Sequence, residues 1–148
     1  MNITGKLKIS SPSDDVIQFD RDYFPHPWSP EQWLDLDSSQ YKLFTWYQSE
    51  KLIGFALFGI SSFDNVAHLY KIIIHPSGRN KGEASLFWSS ILIELKRLPL
   101  HLHTIYLEVR SANSPAIEFY KKCGFILLRR NKAYYSTGED ALIMTLML

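Results

Sequence analysis

The sequence predicts an α/β protein in which a mixed, mostly antiparallel, twisted sheet of about seven strands is flanked by helices. Runs of β-branched and aromatic residues alternate with segments of helical periodicity, which is typical of a sheet covered by helices. The length of 148 residues suffices for one hydrophobic core, so we expect a single domain over residues 1–148. The composition, with 46% hydrophobic and 21% charged residues, is that of an ordinary globular protein.

The first elements predicted are a short strand and two helices. The strand is expected at 7–10, and Ser13 is a suitable N-cap for a helix that begins near Asp14. Three prolines within 24–30 exclude regular structure there, since proline fits neither a helix interior nor a paired strand. We expect a rigid loop that leads into a short helix carrying Trp33.

Three strands are predicted next. The strands 41–48 and 52–60 are separated by residues 49–51, which indicates a β-hairpin. The third strand, 66–74, ends in three isoleucines before the segment 76–78 (Pro-Ser-Gly) interrupts it.

A helix, a strand, a helix and two strands complete the chain. Apolar residues recur at helical spacing over 82–97, and the strand 104–110 has one apolar face. The next helix begins at the N-cap Asn113 and ends before Gly124. The last two strands are expected at 125–129 and 141–147. The predicted order is therefore β-α-α-β-β-β-α-β-α-β-β.

Charge and cysteine content exclude several classes of protein. Sixteen basic and fifteen acidic residues leave a net charge of +1, which disfavours a nucleic-acid-binding protein. The single cysteine, Cys123, excludes an intrachain disulfide, and His101 and His103 have no third metal ligand nearby. The apolar run 52–60 is far shorter than the ~20 residues of a membrane-spanning helix, and no secretory signal is evident. We therefore expect a cytoplasmic protein without a metal, and neither nucleic acid nor membrane as a partner.

The segment 72–84 predicts a strand, a turn and the start of a helix. Backbone N–H groups at a helix N-terminus, with Gly82 allowing close approach, form a cradle for phosphate oxygens. Arg79 and Lys81 add positive charge. The segment matches neither a P-loop nor a dinucleotide-binding fingerprint. The alternative is a basic turn that binds nothing.

Glu108 and Tyr120 are the candidates for acid–base chemistry. Glu108 lies in an otherwise apolar strand on the same face as Tyr106 and Arg110, and a sheltered carboxylate can serve as a general base. The alternative is a structural pair of Glu108 with Arg110. The phenol of Tyr120, on the following helix, can donate a proton, although core packing is the commoner fate of such a residue.

These residues together resemble the GNAT superfamily of N-acetyltransferases, and within it the RimI-type ribosomal-protein alanine N-acetyltransferases. The resemblance covers nearly the whole chain. Residues 79–84 are similar to the superfamily's (Q/R)-x-x-G-x-(G/A) acetyl-CoA loop. Further stretches resemble the family's LEVR-x-SN, AI-x-x-Y, GF, RRNYY, GEDA and PWS segments, at 107–113, 116–120, 124–125, 129–135, 138–141 and 27–29.

The resemblance implies that the sheet splays between its fourth and fifth strands and that the pantetheine arm of acetyl-CoA lies in the gap. It assigns Glu108 the role of general base and Tyr120 that of general acid. It places Trp28, Tyr134 and Tyr135 in loops around the acceptor. The residues expected to hold acetyl-CoA are Ile72, Ile73, Ile74, Arg79, Asn80, Lys81, Gly82, Glu83, Ala84, Ser85 and Asn113.

The chain departs from the family pattern at several positions. Glu83 puts an acid in the phosphate loop, which is expected to weaken coenzyme binding, and His75 replaces an acid. The loop 24–28 is longer than usual, and 132–133 are additional residues. Both loops are expected to frame the acceptor, so an acceptor other than the ribosomal one stays open.

The resemblance implies an acetyl-CoA-dependent N-acetyltransferase that transfers the acetyl group directly to an amine. The expected acceptor is the N-terminal α-amine of a protein, with a ribosomal protein among the candidates. Two alternatives stay open: acetylation of a small-molecule amine, and a catalytically silent acyl-CoA-binding domain. Retention of both Glu108 and Tyr120 argues against the silent domain.

Overall fold

A computed structural model describes residues 5–61, 63–78 and 82–148. Their strands are Lys6–Ser10 (β1), Tyr41–Gln48 (β2), Lys51–Ser61 (β3), Val66–Ile74 (β4), Thr104–Arg110 (β5), Ile126–Asn131 (β6) and Ala141–Met147 (β7). Their α-helices are Asp14–Tyr23 (α1), Pro30–Leu34 (α2), Glu83–Arg97 (α3) and Ser114–Lys122 (α4). The predicted order of elements is confirmed. In this part of the chain, no helix is both long and apolar enough to cross a membrane.

The strands form one sheet in the order β1-β2-β3-β4-β5-β7-β6. Neighbouring strands are antiparallel except β4 and β5, which run parallel. The pairing of β4 with β5 covers only three residue pairs and ends at His68 and Tyr106. Since β4 continues to Ile74 and β5 to Arg110, the two strands separate beyond that point. The predicted splay between the fourth and fifth strands is therefore confirmed.

A β-bulge in β4 lies where the two strands separate. The register of β3 and β4 shifts between Leu57 and Phe58, which leaves Tyr70 without a counterpart on β3. A bulge bends its strand and increases the local twist. Because the bulge directly follows the last β4–β5 residue pairs, it directs the rest of β4 away from β5.

The helices cover the two faces of the sheet with separate hydrophobic cores. α3 and α4 cover one face, with buried residues that include Phe44, Phe58, Phe87, Ile91 and Leu107. α1 and α2 cover the other, with buried residues that include Val16, Phe19, Trp33, Leu43 and Phe55. The predicted apolar face of β5 (Ile105, Leu107 and Val109) packs toward α3. The alternate residues of β5, Glu108 among them, therefore face the α1 side.

Local signals in the sequence explain several element boundaries. The side chains of Ser13 and Asn113 cap α1 and α4 by accepting backbone N–H groups, as predicted. Ser49 and Glu50 have φ of 48° and 67°, which is typical of a two-residue hairpin turn of type I′. The prediction that Lys51 belongs to the turn is wrong, since β3 begins there. β6 begins at Ile126 instead of the predicted residue 125.

Candidate active site

Glu108 lies on β5 beside the gap, and its partner is a histidine. Its Oε2 lies 2.5 Å from Nε2 of His68 on β4, and the two side chains are 23% and 20% exposed. The imidazole ring contacts the rings of Tyr70 and Tyr106, with centroids 4.3 Å away in both cases. His68 was not predicted from the sequence. The signal that could have indicated it is the parallel pairing of the two predicted strands, because this pairing places His68 beside Tyr106.

The alternative of a Glu108–Arg110 pair is wrong. The guanidinium of Arg110 lies 3.2 Å from the carboxylate of Glu139 and 4.0 Å from the ring centroid of Tyr135. These contacts tie the loop between β6 and β7 to the end of β5. The carboxylate of Glu108 therefore contacts His68 instead of Arg110 and lies beside the gap.

Tyr120 packs beside the core on the α4 side of the gap. Its ring lies 5.7 Å from that of Phe125, and its hydroxyl has no hydrogen-bond partner within the described residues. Burial raises the pKa of Tyr120, with smaller contributions from Cys123 and Tyr135. The phenol therefore stays protonated at neutral pH, as a general acid requires. Tyr120 therefore packs beside the core, which was the alternative, and its role as a proton donor stays a prediction.

Cys123 ends α4 as a half-buried residue. Burial raises the pKa of its thiol to about 12. A thiolate nucleophile at neutral pH is therefore disfavoured.

The start of α3 fits a phosphate-bearing coenzyme. Gly82 has a φ of +79°, a left-handed conformation that favours glycine, and a Cβ built on it would meet no atom of the described residues within 4 Å. Within the described part of the chain, no side chain caps the first N–H groups of α3. Uncapped N–H groups beside open space suit an anionic phosphate. Of the predicted loop, Arg79, Asn80 and Lys81 lie outside the described residues.

Glu83, the unexpected acid of that loop, is held by β2. Its Oε2 accepts a hydrogen bond from the indole of Trp46 at 2.7 Å, and its Oε1 accepts one from the amide of Gln48 at 2.9 Å. Both carboxylate oxygens are thus directed toward β2. That Glu83 weakens coenzyme binding stays a prediction.

The other predicted coenzyme residues lie around the gap. Ile73 is buried in the core under α1, whereas Ile74 is buried under α3 and Ile72 packs beside it. Because these side chains lie in the cores, β4 would contact a coenzyme mainly through its backbone. The edge of β4 that faces β5 is not paired with any described strand beyond His68. Among the remaining candidates, Ala84 is half-buried and Ser85 and Asn113 are exposed.

A buried ion pair fixes the proline-rich loop that carries Trp28. Asp20 and Lys71 are 2.9 Å apart, with side chains 0% and 2% exposed. The second oxygen of Asp20 accepts hydrogen bonds from the backbone N–H of Trp28 at 2.8 Å and the indole of Trp33 at 3.0 Å. The ammonium of Lys71 also lies 4.1 Å from the ring centroid of Phe24. This network, which was not predicted from the sequence, fastens the loop to the bulge of β4.

Aromatic side chains surround Glu108 on the α1 side. Trp28 lies 6.2 Å from Tyr70, and Tyr106 is within electrostatic reach of both Glu108 and Tyr70. Tyr134, which is 52% exposed, lies close enough to add to the raised pKa of Tyr106. Aromatic faces beside a carboxylate suit a cationic amine. The predicted loop residues Trp28, Tyr134 and Tyr135 thus lie on the side of the sheet that Glu108 faces.

Known proteins resemble this chain in both sequence and structure. The profile of the acetyltransferase (GNAT) family matches residues 13–125. The [Ribosomal protein bS18]-alanine N-acetyltransferase of Escherichia coli strain K12 is 31% identical over an alignment of 125 positions that covers 81% of this chain and 80% of that protein.

The structural similarity extends over nearly the whole chain. The crystal structure of the ribosomal-protein-S18-alanine N-acetyltransferase from Escherichia coli matches with a TM-score of 0.79 and 26% identity, covering 96% of this chain and 94% of that one. Arabidopsis thaliana NAA60, solved in complex with acetyl-CoA, shares the fold with a TM-score of 0.82 and 20% identity, at 98% and 99% coverage. The splayed sheet, the open start of α3 and these similarities agree, and the chain belongs to the GNAT family of acetyltransferases, which take their acetyl group from acetyl-CoA.

Proposed function

We propose that this acetyltransferase modifies the N-terminal α-amine of a protein, with a ribosomal protein among its acceptors. The observation that carries the proposal is the half-buried carboxylate of Glu108 beside the gap, with aromatic side chains from β4, β5 and two loops around it. The similarity to an enzyme named for a ribosomal-protein alanine supports a protein N-terminus as the acceptor. Such an acceptor favours a cytoplasmic location.

The residues of the chain have separate roles in this proposal. Bound acetyl-CoA supplies an acetyl group activated as a thioester. The first N–H groups of α3 hold the pyrophosphate, and the free edge of β4 aligns the arm in the gap and polarises the thioester carbonyl. Glu108 takes a proton from the acceptor amine, and the hydroxyl of Tyr120 gives a proton to the departing sulfur. We also propose that residues 1–148 act as a single domain.

Acetylation is expected at N-terminal amines and not at lysine side chains. An α-amine has an ordinary pKa of ~7.7–8.0 against ~10.4 for lysine, so it gives up its proton more readily near neutral pH. Mass spectrometry of a peptide that begins with alanine and carries an internal lysine locates the acetyl group. The control is the same peptide with its N-terminus blocked. Modification confined to lysine, or to a small amine such as a polyamine, would overturn the proposed acceptor.

Replacing Gly82 with valine is expected to weaken coenzyme A binding by roughly tenfold or more, because charge-assisted hydrogen bonds contribute about 1.5–3 kcal/mol. The new side chain fills the open space before α3, and φ of +79° disfavours a β-branched residue. Calorimetry measures the affinity. Gly138→Val is the matched control, since Gly138 has a φ of +85° and equally open surroundings in the loop between β6 and β7. Unchanged affinity in Gly82→Val would place the coenzyme elsewhere.

A further inference from the structure

The imidazole of His75 joins α1 to the turn that follows β4. The backbone N–H of His75 donates to the carbonyl of Ile53 on β3 at 2.7 Å, which fixes this residue directly after β4. Its Nε2 lies 3.0 Å from the hydroxyl oxygen of Tyr23 on α1, and the two ring centroids are 4.8 Å apart. Its Nδ1 lies 3.0 Å from the backbone nitrogen of Ser77 and 2.8 Å from the hydroxyl oxygen of that residue. Both ring nitrogens of His75 are therefore hydrogen-bonded.

These contacts require a neutral imidazole in one particular tautomer. A backbone N–H can only donate, so Nδ1 must carry the lone pair that accepts the N–H of Ser77. The proton of the neutral ring then lies on Nε2, which donates to the hydroxyl of Tyr23. An added proton would occupy Nδ1 and would point at the N–H of Ser77. Because two donors cannot bond to each other, protonation of His75 would remove its hydrogen bond to the turn.

The turn that His75 holds packs against the start of α3. The N–H of Gly78 donates to the carbonyl of His75 at 2.8 Å, so residues 75–78 form one tight turn. Gly78 is buried, and a Cβ built on it would lie 3.0 Å from Cγ2 of Ile74 and 3.7 Å from Cβ of Glu83. Glu83 is the first residue of α3, and β2 holds its carboxylate. A displacement of the turn is therefore expected to displace the first N–H groups of α3.

We propose that His75 is a positioning residue for the coenzyme, and that its neutral imidazole holds the start of α3 in the form that binds the pyrophosphate. The inference rests on the proposed placement of the coenzyme at α3 and is independent of the acceptor. Histidine ordinarily changes its charge between about pH 5 and 8. Because binding requires the neutral ring, coenzyme affinity is expected to be full above this range and to fall as the pH falls through it. A carboxylate, which His75 replaces, would accept the same N–H without this change.

Other titratable groups line the same cavity as the imidazole, on α1 and on the hairpin between β2 and β3. They are Asp15, Asp22, Tyr23, Glu50 and Lys51. Carboxylates are ordinarily ionised above pH ~5, whereas lysine and tyrosine side chains ordinarily keep their protons up to pH ~9. A change of charge near this turn between about pH 5 and 8 is therefore expected to come from His75.

The test is calorimetry of coenzyme A binding to the full chain at about pH 8 and about pH 5.5, on the two sides of the usual histidine range. His75→Asn keeps an oxygen that accepts the N–H of Ser77 but does not titrate, so it should bind as the wild type does at the higher pH. His75→Leu offers no acceptor, and its affinity there should be lower by about three- to tenfold, the contribution of one hydrogen bond. Thermal melts confirm folding, and if His75→Leu does not fold, the pH dependence of His75→Asn decides.

The pH dependence distinguishes positioning by a neutral imidazole from a merely structural role. Between the two pH values, the wild type should lose about three- to tenfold more affinity than His75→Asn does. The proteins are compared with each other at each pH, because a phosphate monoester such as that of coenzyme A itself titrates at about pH 6. His101→Asn, at an exposed histidine before β5, is the matched control and should follow the wild type at both pH values.

The outcomes separate this inference from the proposed function. Equal pH dependence in the wild type and His75→Asn would overturn the inference. So would a wild-type affinity that rises with acid relative to the variant, because His75 would then act as a cation toward the phosphates. In both cases, weakened binding in Gly82→Val would leave the coenzyme at α3. Unchanged affinity in Gly82→Val would instead remove the proposed placement, and the inference with it.

Discussion

Replacing Glu108 with glutamine is expected to lower kcat by ~10²–10⁴ at neutral pH, the usual contribution of a general base. The amide cannot accept the proton of the amine, but it can still face His68. Raising the pH should restore part of the rate, because more of the acceptor is already neutral above its ordinary pKa of ~7.7–8.0. Coenzyme A affinity should change little, since Glu108 faces the side opposite α3.

Tyr120→Phe is the variant to compare with Glu108→Gln, because the two are expected to respond differently to pH. The loss in kcat should fall toward the lower end of the same range, because a thiolate leaves readily without help. Higher pH should not rescue the variant, since the missing group is a proton donor. In the wild type, burial raises the pKa of Tyr120, so this residue should cause no loss of rate between pH 7 and about 10.

The measurement is a pH–rate profile for the wild type and both variants, with thermal melts to confirm folding. Near-normal coenzyme binding in both would show that the losses are chemical. Wild-type turnover at neutral pH in a well-folded Glu108→Gln would mean that this carboxylate is structural.

Replacing Lys71 with methionine is expected to lower the free energy of unfolding by about 3–5 kcal/mol, the usual cost of removing one partner of a buried ion pair. Asp20 is fully buried and would be left without its cation. Burial already lowers the pKa of Lys71, and the hydrogen bond that Lys71 donates to Asp20 acts against that change. Urea denaturation measures the loss.

Two further variants test the cause of this loss. Lys96→Met, at an exposed position of α3, should change stability by no more than about 0.5 kcal/mol. The double variant Asp20→Leu with Lys71→Met should be more stable than Lys71→Met alone, because no buried charge is left unpaired. If Lys71→Met were as stable as the wild type, the pair would contribute nothing to the fold.

Local signals made most of the fold predictable. These signals act between neighbours in sequence; they are the capping residues, the prolines of 24–30 and the alternation of β5. The order of elements and the face of β5 on which Glu108 lies could therefore be inferred. Strand periodicity predicted the run 66–74, but nothing within it marks the bulge at Tyr70. A bulge depends on the register of the partner strand, and single-strand patterns do not contain that register.

The interactions that define the site were not predictable for a related reason. His68 lies 40 residues from Glu108, and Lys71 lies 51 residues from Asp20. Neither pairing has a spacing that indicates it, because each depends on how separate elements meet in the folded chain. The family resemblance identified Glu108 and Tyr120 but offered no partner for either one.

The bulge at Tyr70 changes the phase of β4. In a regular strand, residues an odd number of positions apart point to opposite faces, so His68 and Lys71 could not share one. The extra residue allows both to face α1, where His68 meets Glu108 and Lys71 meets Asp20. If the same residues paired regularly, with Tyr70 opposite a residue of β3, only one of these contacts would form and the other side chain would turn into the opposite core. One unpaired residue thus lets a single strand contact the proposed base and anchor a loop on the same face.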